Sequence, residues 1–462
     1  MTPQTGHRLW LLAQRAQRIA QMELPEPVLT AATSVLLNDL SCAMLASGPV
    51  VDKATVLVSM SGTRRRNAAT PLGTRAKHDP SDAAFLGGVR THALALDSTH
   101  YPSQAHLGSA ILPALLATAE ESGITGSALV SALVAGWETA ALVGEAFVSG
   151  VMARGLRASA AFGGIGSATS AAVAAGLDTQ GIANAIALSV NFSAGLSRTF
   201  VDGSDDWSIQ LGLSAQAGVR AVQLVRAGFQ GAAGTFHDDA LPLLWHDDAR
   251  RGDHVTAAHR LDHELEPDSC VKWRIIDTVY KWYSACNILQ APIALAVGFV
   301  PKLAADPASI KEIRCFLNPE DWAYPGICNA RPQTLSGALM SAAYCVATTL
   351  THGELDLDLL HQPHNDAQAA HLSERVRIIA DPKLPPLAAR LEVTLANDRT
   401  LSNTLVPTDD TFAFTWGRLS DICADRLKAA GHPPSQFGTL ASTVASVTTL
   451  QEATPLIAAA CL

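Results

Sequence analysis

A chain of 462 residues that is 48% hydrophobic and only 16% charged has ample apolar material for a large core, which excludes a disordered protein. Its formal net charge of −9 leaves no electrostatic footprint for nucleic acid or an anionic membrane. Aromatic residues are 5%, so the core has to be built from Ala, Leu, Val and Ile, small side chains that let helices approach closely.

The first half predicts helix after helix. "GHRLWLLAQRAQRIAQ" at the N-terminus is an amphipathic helix without a signal-peptide cleavage pattern. Arg64, Arg65 and Arg66 form the one basic cluster, expected in a solvated loop. "GSALVSALVAGWETAALVGEAF" places Leu129, Leu133, Gly136, Ala140 and Val143 on one helical stripe. Ala158 to Leu177 carries no charge, a length that raises a membrane span. Its Ala, Gly and Ser content would partition weakly into lipid, so a helix buried on all sides is expected instead. "DTQGIANAIALSVNFSAGLS" opens with an Asp-Thr cap and continues helical. No alternating strand pattern occurs in this half.

After about residue 270 the period changes. "SIKEIRCFL", "ERVRIIAD" and "RLEVTLAND" alternate as half-buried strands do. "ILQAPIALAVGF" and "SGALMSAAYCVATTLTHG" predict helices between them, and "FAFTWGRLSDICADRLKAAG" returns to helix. The fold class expected is mainly α. A helical domain over 1–268 and 405–462 is interrupted by an α+β domain over 269–404.

Eight scattered cysteines (Cys42, Cys270, Cys286, Cys315, Cys328, Cys345, Cys423, Cys461) form no CxxC pair, and several lie in apolar context. Reduced core thiols in a cytoplasmic protein are expected. "FGGIGSAT" at 162–169 lacks the third glycine, the preceding strand and the acidic residue of a dinucleotide site, so close helix packing explains its glycines. No P-loop, HExxH or GxSxG occurs. His92, His100 and His106 could supply metal ligands, but their spacing matches no helical i, i+4 pair, and no metal is expected.

"AAFLGGVRTHALALDSTHYPSQAHLGSAILPALLATAE" resembles the signature region of the MmgE/PrpD family. "ALVAGWETAALVGEAF", "RGLRASAAFGGIGSATSAA", "FVDGSDDWSIQLGLSAQAGVRAVQLVRAGFQG" and "YKWYSACNILQAPIALA" match further blocks in the same order, so the resemblance covers nearly the whole chain. It implies a discontinuous all-helical domain with a smaller α+β domain, a homodimer and no organic cofactor. The family includes 2-methylcitrate dehydratase, cis-aconitate decarboxylase and iminodisuccinate epimerase.

Residue by residue, His92, Ala93, Leu94 and Thr99 fit the first block; Ala95 replaces its first aspartate, Asp97 holds its second, and His106 matches its later histidine. Arg157 stands where the second block has histidine. Asp202, Gly203 and Ser204 are kept in the third, but Trp207 replaces a lysine and Gln210 a histidine. The fourth survives as Lys281-Trp282-Tyr283-Ser284-Ala285-Cys286, and Tyr324 matches a later tyrosine.

The resemblance therefore implies His106, Asp97, Lys281 and Tyr324 as catalytic residues. Thr99, His100, Gln104, Arg157, Ser159, Trp207, Gln210, Tyr283 and Cys286 are the candidate substrate contacts. His106 is the expected acid/base, at the N-terminal end of the helix it precedes. Arg157 and Lys281 are expected to grip substrate carboxylates. The expected function is a lyase of dehydratase or decarboxylase type, acting on a small di- or tricarboxylate or a related secondary metabolite. A two-base epimerase is the alternative, and a non-catalytic binding protein the third reading, since the family's lysine and two of its histidines are replaced, by Trp207, Arg157 and Gln210.

Overall fold

The computed structural model describes residues 7–61, 68–192, 194–237, 251–266, 272–303, 309–355, 357–361, 363–412 and 414–461. Arg64, Arg65, Arg66 and Cys270 lie outside the described residues. The chain is mainly α. Its longer helices and its strands run α1 (His7–Gln21), α2 (Glu26–Leu45), α3 (Pro49–Met60), α4 (Pro80–His92), β1 (Thr99–His100), α5 (Gly108–Ser122), α6 (Gly126–Ala153), α7 (Ala158–Ala174) and α8 (Thr179–Val190). Then come α9 (Asp206–Arg226), α10 (Arg251–Leu265), β2 (Thr278–Val279), α11 (Gln290–Phe299), β3 (Ile310–Leu317), α12 (Ala342–His352), β4 (Val376–Ala380), β5 (Ala389–Leu395), β6 (Thr400–Leu405), α13 (Trp416–Ala429) and α14 (Pro434–Ala445).

The chain divides into two compact units. The first holds Met1–Leu196, Ser208–Tyr280 and Phe414–Leu462; the second holds Ser197–Trp207 and Lys281–Ala413.

In the first unit, local sequence sets the helix starts. Asp79 caps α4 by accepting from the Ser81 N–H, with Pro80 at the first helical position. Thr125 caps α6 and Asp178 caps α8 in the same way. α6 packs along α7 and α1, α7 also along α5 and α8, and α4 along α5 and α2. Every residue of α7 except Val173 is buried. A Cβ on Gly136 would lie 2.6 Å from the Gly166 carbonyl, and one on Gly166 would lie 2.7 Å from Ile111 Cδ1. Gly163 and Gly166 of "FGGIGSAT" are therefore packing glycines. Among the described residues two helices, α2 and α6, are long and apolar enough to cross a membrane, and both are mostly buried.

The helical half does contain a strand, β1, whose Thr99 and His100 pair antiparallel with Val279 and Thr278. Two residues are too few to show a period of two, and the partner is far off in sequence.

The second unit carries a sheet in the order β4-β3-β5-β6, with β3 parallel to β4 and the other pairs antiparallel. β5 alternates strictly, burying Ala389, Leu391, Val393 and Leu395. β3 buries Ile310 and then Ile313, Cys315 and Leu317, because its register slips between Ile310 and Glu312. β6 escaped the sequence reading: on this edge strand only Leu401 is buried. α11 packs on β5 and β6, and α12 on β4. The predicted helix over 336–353 is broken at Ser341, which caps α12 by accepting from the Tyr344 N–H.

Candidate active site

The loop between α4 and α5 carries the chemistry of the first unit. His92 ends α4, the chain turns through Ala95 in the left-handed region (φ 52°), and Asp97 comes back against His92. Asp97 is fully buried. Its Oδ2 accepts from His92 Nδ1 at 2.8 Å, from His106 Nδ1 at 3.0 Å and from the Ser109 hydroxyl on the first turn of α5. The two imidazoles stand edge to face, centroids 4.7 Å apart.

Arg157, just before α7, fixes the proton positions. Its Nη2 lies 2.6 Å from His92 Nε2. A guanidinium only donates, so His92 Nε2 accepts and its Nδ1–H donates to Asp97. Burial, chiefly, and the Arg157 charge hold the His92 imidazole neutral, down to about 3, although Asp97 opposes them. Burial alone would raise the Asp97 carboxyl, but His106 and His92 outweigh it and hold the group well below the ordinary range. Asp97 is therefore an anion at neutral pH. It keeps the His106 proton on Nδ1 and leaves Nε2 as the basic nitrogen. His106 is the least buried of the three, with 16% of its side chain accessible.

Other groups hold the loop still. The His106 N–H donates to the Ser159 hydroxyl at 3.0 Å, and Thr99 Oγ1 lies 3.3 Å from His106 Nδ1. Gln210 Oε1 accepts from Arg157 Nη1 at 3.4 Å. Beneath, Asp39 accepts from the Ser98 N–H, the Ser98 hydroxyl and Asn38. Burial and the neighbouring Asp97 charge push its carboxyl up to about 7. The sequence reading missed Asp39, Ser98 and Ser109; one acid inside an apolar helix was the only signal for Asp39. It also left His92 outside the site. Arg157 was expected to grip a substrate carboxylate, whereas its Nη2 and Nη1 turn to His92 and Gln210.

His100 does not join this cluster. Neighbours on a strand point to opposite faces, so Thr99 faces His106 while His100 faces α6, near Glu145 and Asp277. The three histidines considered as one metal set are thus divided. Gln104 is exposed, in the left-handed region at φ 51°. His92, Asp97 and His106 could crowd one ion, with ligand atoms within 4.8 Å of one another. Arg157 already sits on His92 Nε2, and both Nδ1 protons are given to Asp97, so the cluster fits acid/base work better than a metal.

The remaining candidates lie in the second unit. Lys281 is buried. The loop after it is tied by Gln290: its Oε1 accepts from the Trp282 and Tyr283 N–H groups, and its Nε2 donates to the Tyr283 carbonyl. Burial pushes the Cys286 thiol and the Tyr283 phenol up, so both are neutral. Tyr324 is half-buried with its ring 6.3 Å from that of Phe200, and Trp207 is buried.

The N-terminal domain model of the MmgE/PrpD family matches residues 11–241, and the C-terminal domain model matches residues 283–409. The Cis-aconitate decarboxylase-like protein oryM of Aspergillus oryzae (strain ATCC 42149 / RIB 40) is 24% identical over 362 residues, spanning 74% of this chain and 73% of that protein.

Proposed function

The chain belongs to the MmgE/PrpD family, and from that premise we propose that it is a lyase on a small di- or tricarboxylate or a related metabolite. It removes a proton next to a carboxylate and expels water or carbon dioxide, without an organic cofactor. His106 Nε2 takes the proton. Asp97 holds the imidazole in the right tautomer and steadies the imidazolium that forms. The observation that carries this reading is the ionised, buried Asp97 whose Oδ2 receives both imidazoles, with His106 the most accessible member. Elimination is favoured over epimerisation because His92 is a poor second base: Arg157 occupies its Nε2 lone pair, and burial leaves the imidazole basic only to about 3. The name of the Aspergillus relative supports the decarboxylase type at family level.

The test is turnover of a panel of hydroxylated and unsaturated di- and tricarboxylates in D2O, followed by NMR and carbon dioxide release. Alkene or carbon dioxide formation that His106→Gln lowers roughly 10²- to 10⁴-fold is the expected result. Deuterium exchange at one carbon with inversion and no elimination would make it an epimerase. Tight binding without any turnover would make it a binding protein. The same proposal carries a cytoplasmic homodimer. A monomeric mass at micromolar concentration would refute the dimer.

A further inference from the structure

On the far side of β1 from His106 lies a second cluster, wholly within the first unit. His100 is fully buried. Its Nδ1 lies 2.8 Å from Ser103 Oγ, and that hydroxyl donates to the His100 carbonyl. With the hydroxyl proton on that carbonyl, the Ser103 oxygen accepts from His100 Nδ1–H and Nε2 presents its lone pair. Nε2 is buried without a hydrogen-bond partner and faces Glu145 Oε1 at 3.7 Å, an oxygen that the Lys272 ammonium approaches only to 3.5 Å. Two acceptors turned toward each other in a buried place call for a cation between them.

The frame around them is built. Glu145, on α6, is oriented by Arg274, whose Nε holds Glu145 Oε2 at 2.9 Å. Asp277 immediately precedes β2, whose Thr278 pairs with His100, so the strand register brings the third ligand alongside. The ligand atoms of His100, Glu145 and Asp277 all lie within 4.8 Å of one another. An ammonium already marks the spot: Lys272 Nζ, on a half-exposed side chain, is 3.5 Å from both Glu145 Oε1 and Asp277 Oδ2.

We propose that His100, Glu145 and Asp277 form a site for a divalent transition-metal ion of the Zn2+ or Co2+ type, with Lys272 holding its place when the metal is absent. One neutral imidazole and two carboxylates suit such an ion, and a tetrahedral site with bonds near 2.1 Å needs ligand atoms about 3.4 Å apart. The gap of 3.7 Å between Nε2 and Oε1 is close to that. Glu145 and Asp277 are partly accessible, which gives the ion an entry and a place for water. Ser103 supplies the outer hydrogen bond that ligating histidines need. The ion would join β1 to α6 and to the chain entering β2, and so stiffen the strand whose Thr99 touches His106.

The test is Co2+ added to the full chain, read by visible absorption, equilibrium dialysis and thermal unfolding. Saturable binding of one ion per chain with a rise in Tm is expected. Asp277→Asn should weaken it at least about tenfold, and Ser103→Ala roughly 10- to 100-fold. If the ammonium excludes the ion from the native chain, Lys272→Met should bind where the native chain does not. No saturable binding in either chain overturns the site, as does binding unchanged by Asp277→Asn. Binding abolished by His106→Gln would move the ion to the other cluster and overturn it equally.

Discussion

Asp97 Oδ2 is a single atom that receives hydrogen bonds from His92, His106 and Ser109. An amide in its place would keep the volume and lose the charge. Asp97→Asn lets the His106 proton move to Nε2, the nitrogen required to accept. We expect kcat to fall about 10²-fold or more with KM little changed, together with a lower melting temperature, because the fold stabilises the ionised carboxylate. An unchanged kcat would refute the assignment. Lys281, whose role comes from the resemblance alone, has a different signature: Lys281→Met should mainly raise KM, because it removes a grip on a carboxylate before and during reaction. His106 and Asp97 were legible in the sequence through the resemblance of their block to that of the family. The function of His92 was not. It depends on Ala95 entering the left-handed region, which a β-carbon disfavours by about 1–2 kcal/mol, and on Arg157 arriving from the extended residue before α7. Arg157 was legible as a cation, but not as the partner of an imidazole.

Among the elements, glycine spacing carries the packing of α5, α6 and α7, and its sign is testable. Gly136 faces the backbone carbonyl of Gly166, which cannot step aside. Gly136→Ala should cost about 1–3 kcal/mol by overpacking, even though alanine favours helix by up to about 1 kcal/mol. Gly438, exposed on α14, would place its Cβ in open space, so Gly438→Ala should stabilise by about 0.5–1 kcal/mol. Chemical unfolding of both variants checks the pair; equal shifts of one sign would contradict the packing argument. α6, α7 and α8 were legible because their apolar content and length agree, with the Asp178 cap marking the start of α8. β3, β4 and β5 were legible by alternation. β6 was not, since an edge strand buries one side chain and shows no apolar row. β1 and β2 were not, since two-residue strands are defined only by the partner they find.

Across the whole chain, a charged share of 16% reads as an apolar interior with charge kept at the surface. The first unit departs from that. Arg15 of α1, Glu138 of α6 and Arg274 before β2 are all buried, and Glu145 and Glu264 complete the charge balance around Arg274. No local pattern reveals such a network, because each member comes from a different element and reads alone as a polar interruption of an apolar face. Its weak member is Glu138. Oε1 accepts from the Ile275 N–H at 2.9 Å, but Oε2 is buried without a partner. Burial dominates and lifts the carboxyl from its usual 4.5 to about 7, against the backbone donors and the charges of Arg274 and Arg15. Between those pH values the unfolded chain releases a proton that the folded chain keeps. The stability due to this group is therefore full below about pH 4.5 and is lost as pH rises toward 7. Glu138→Gln retains the acceptor for Ile275 and removes the titration. The difference in unfolding free energy between variant and native chain should thus shift toward the variant as pH climbs through that window. Parallel pH curves for the two proteins would mean that Glu138 is already ionised in the fold, with Arg15 as its effective counter-charge.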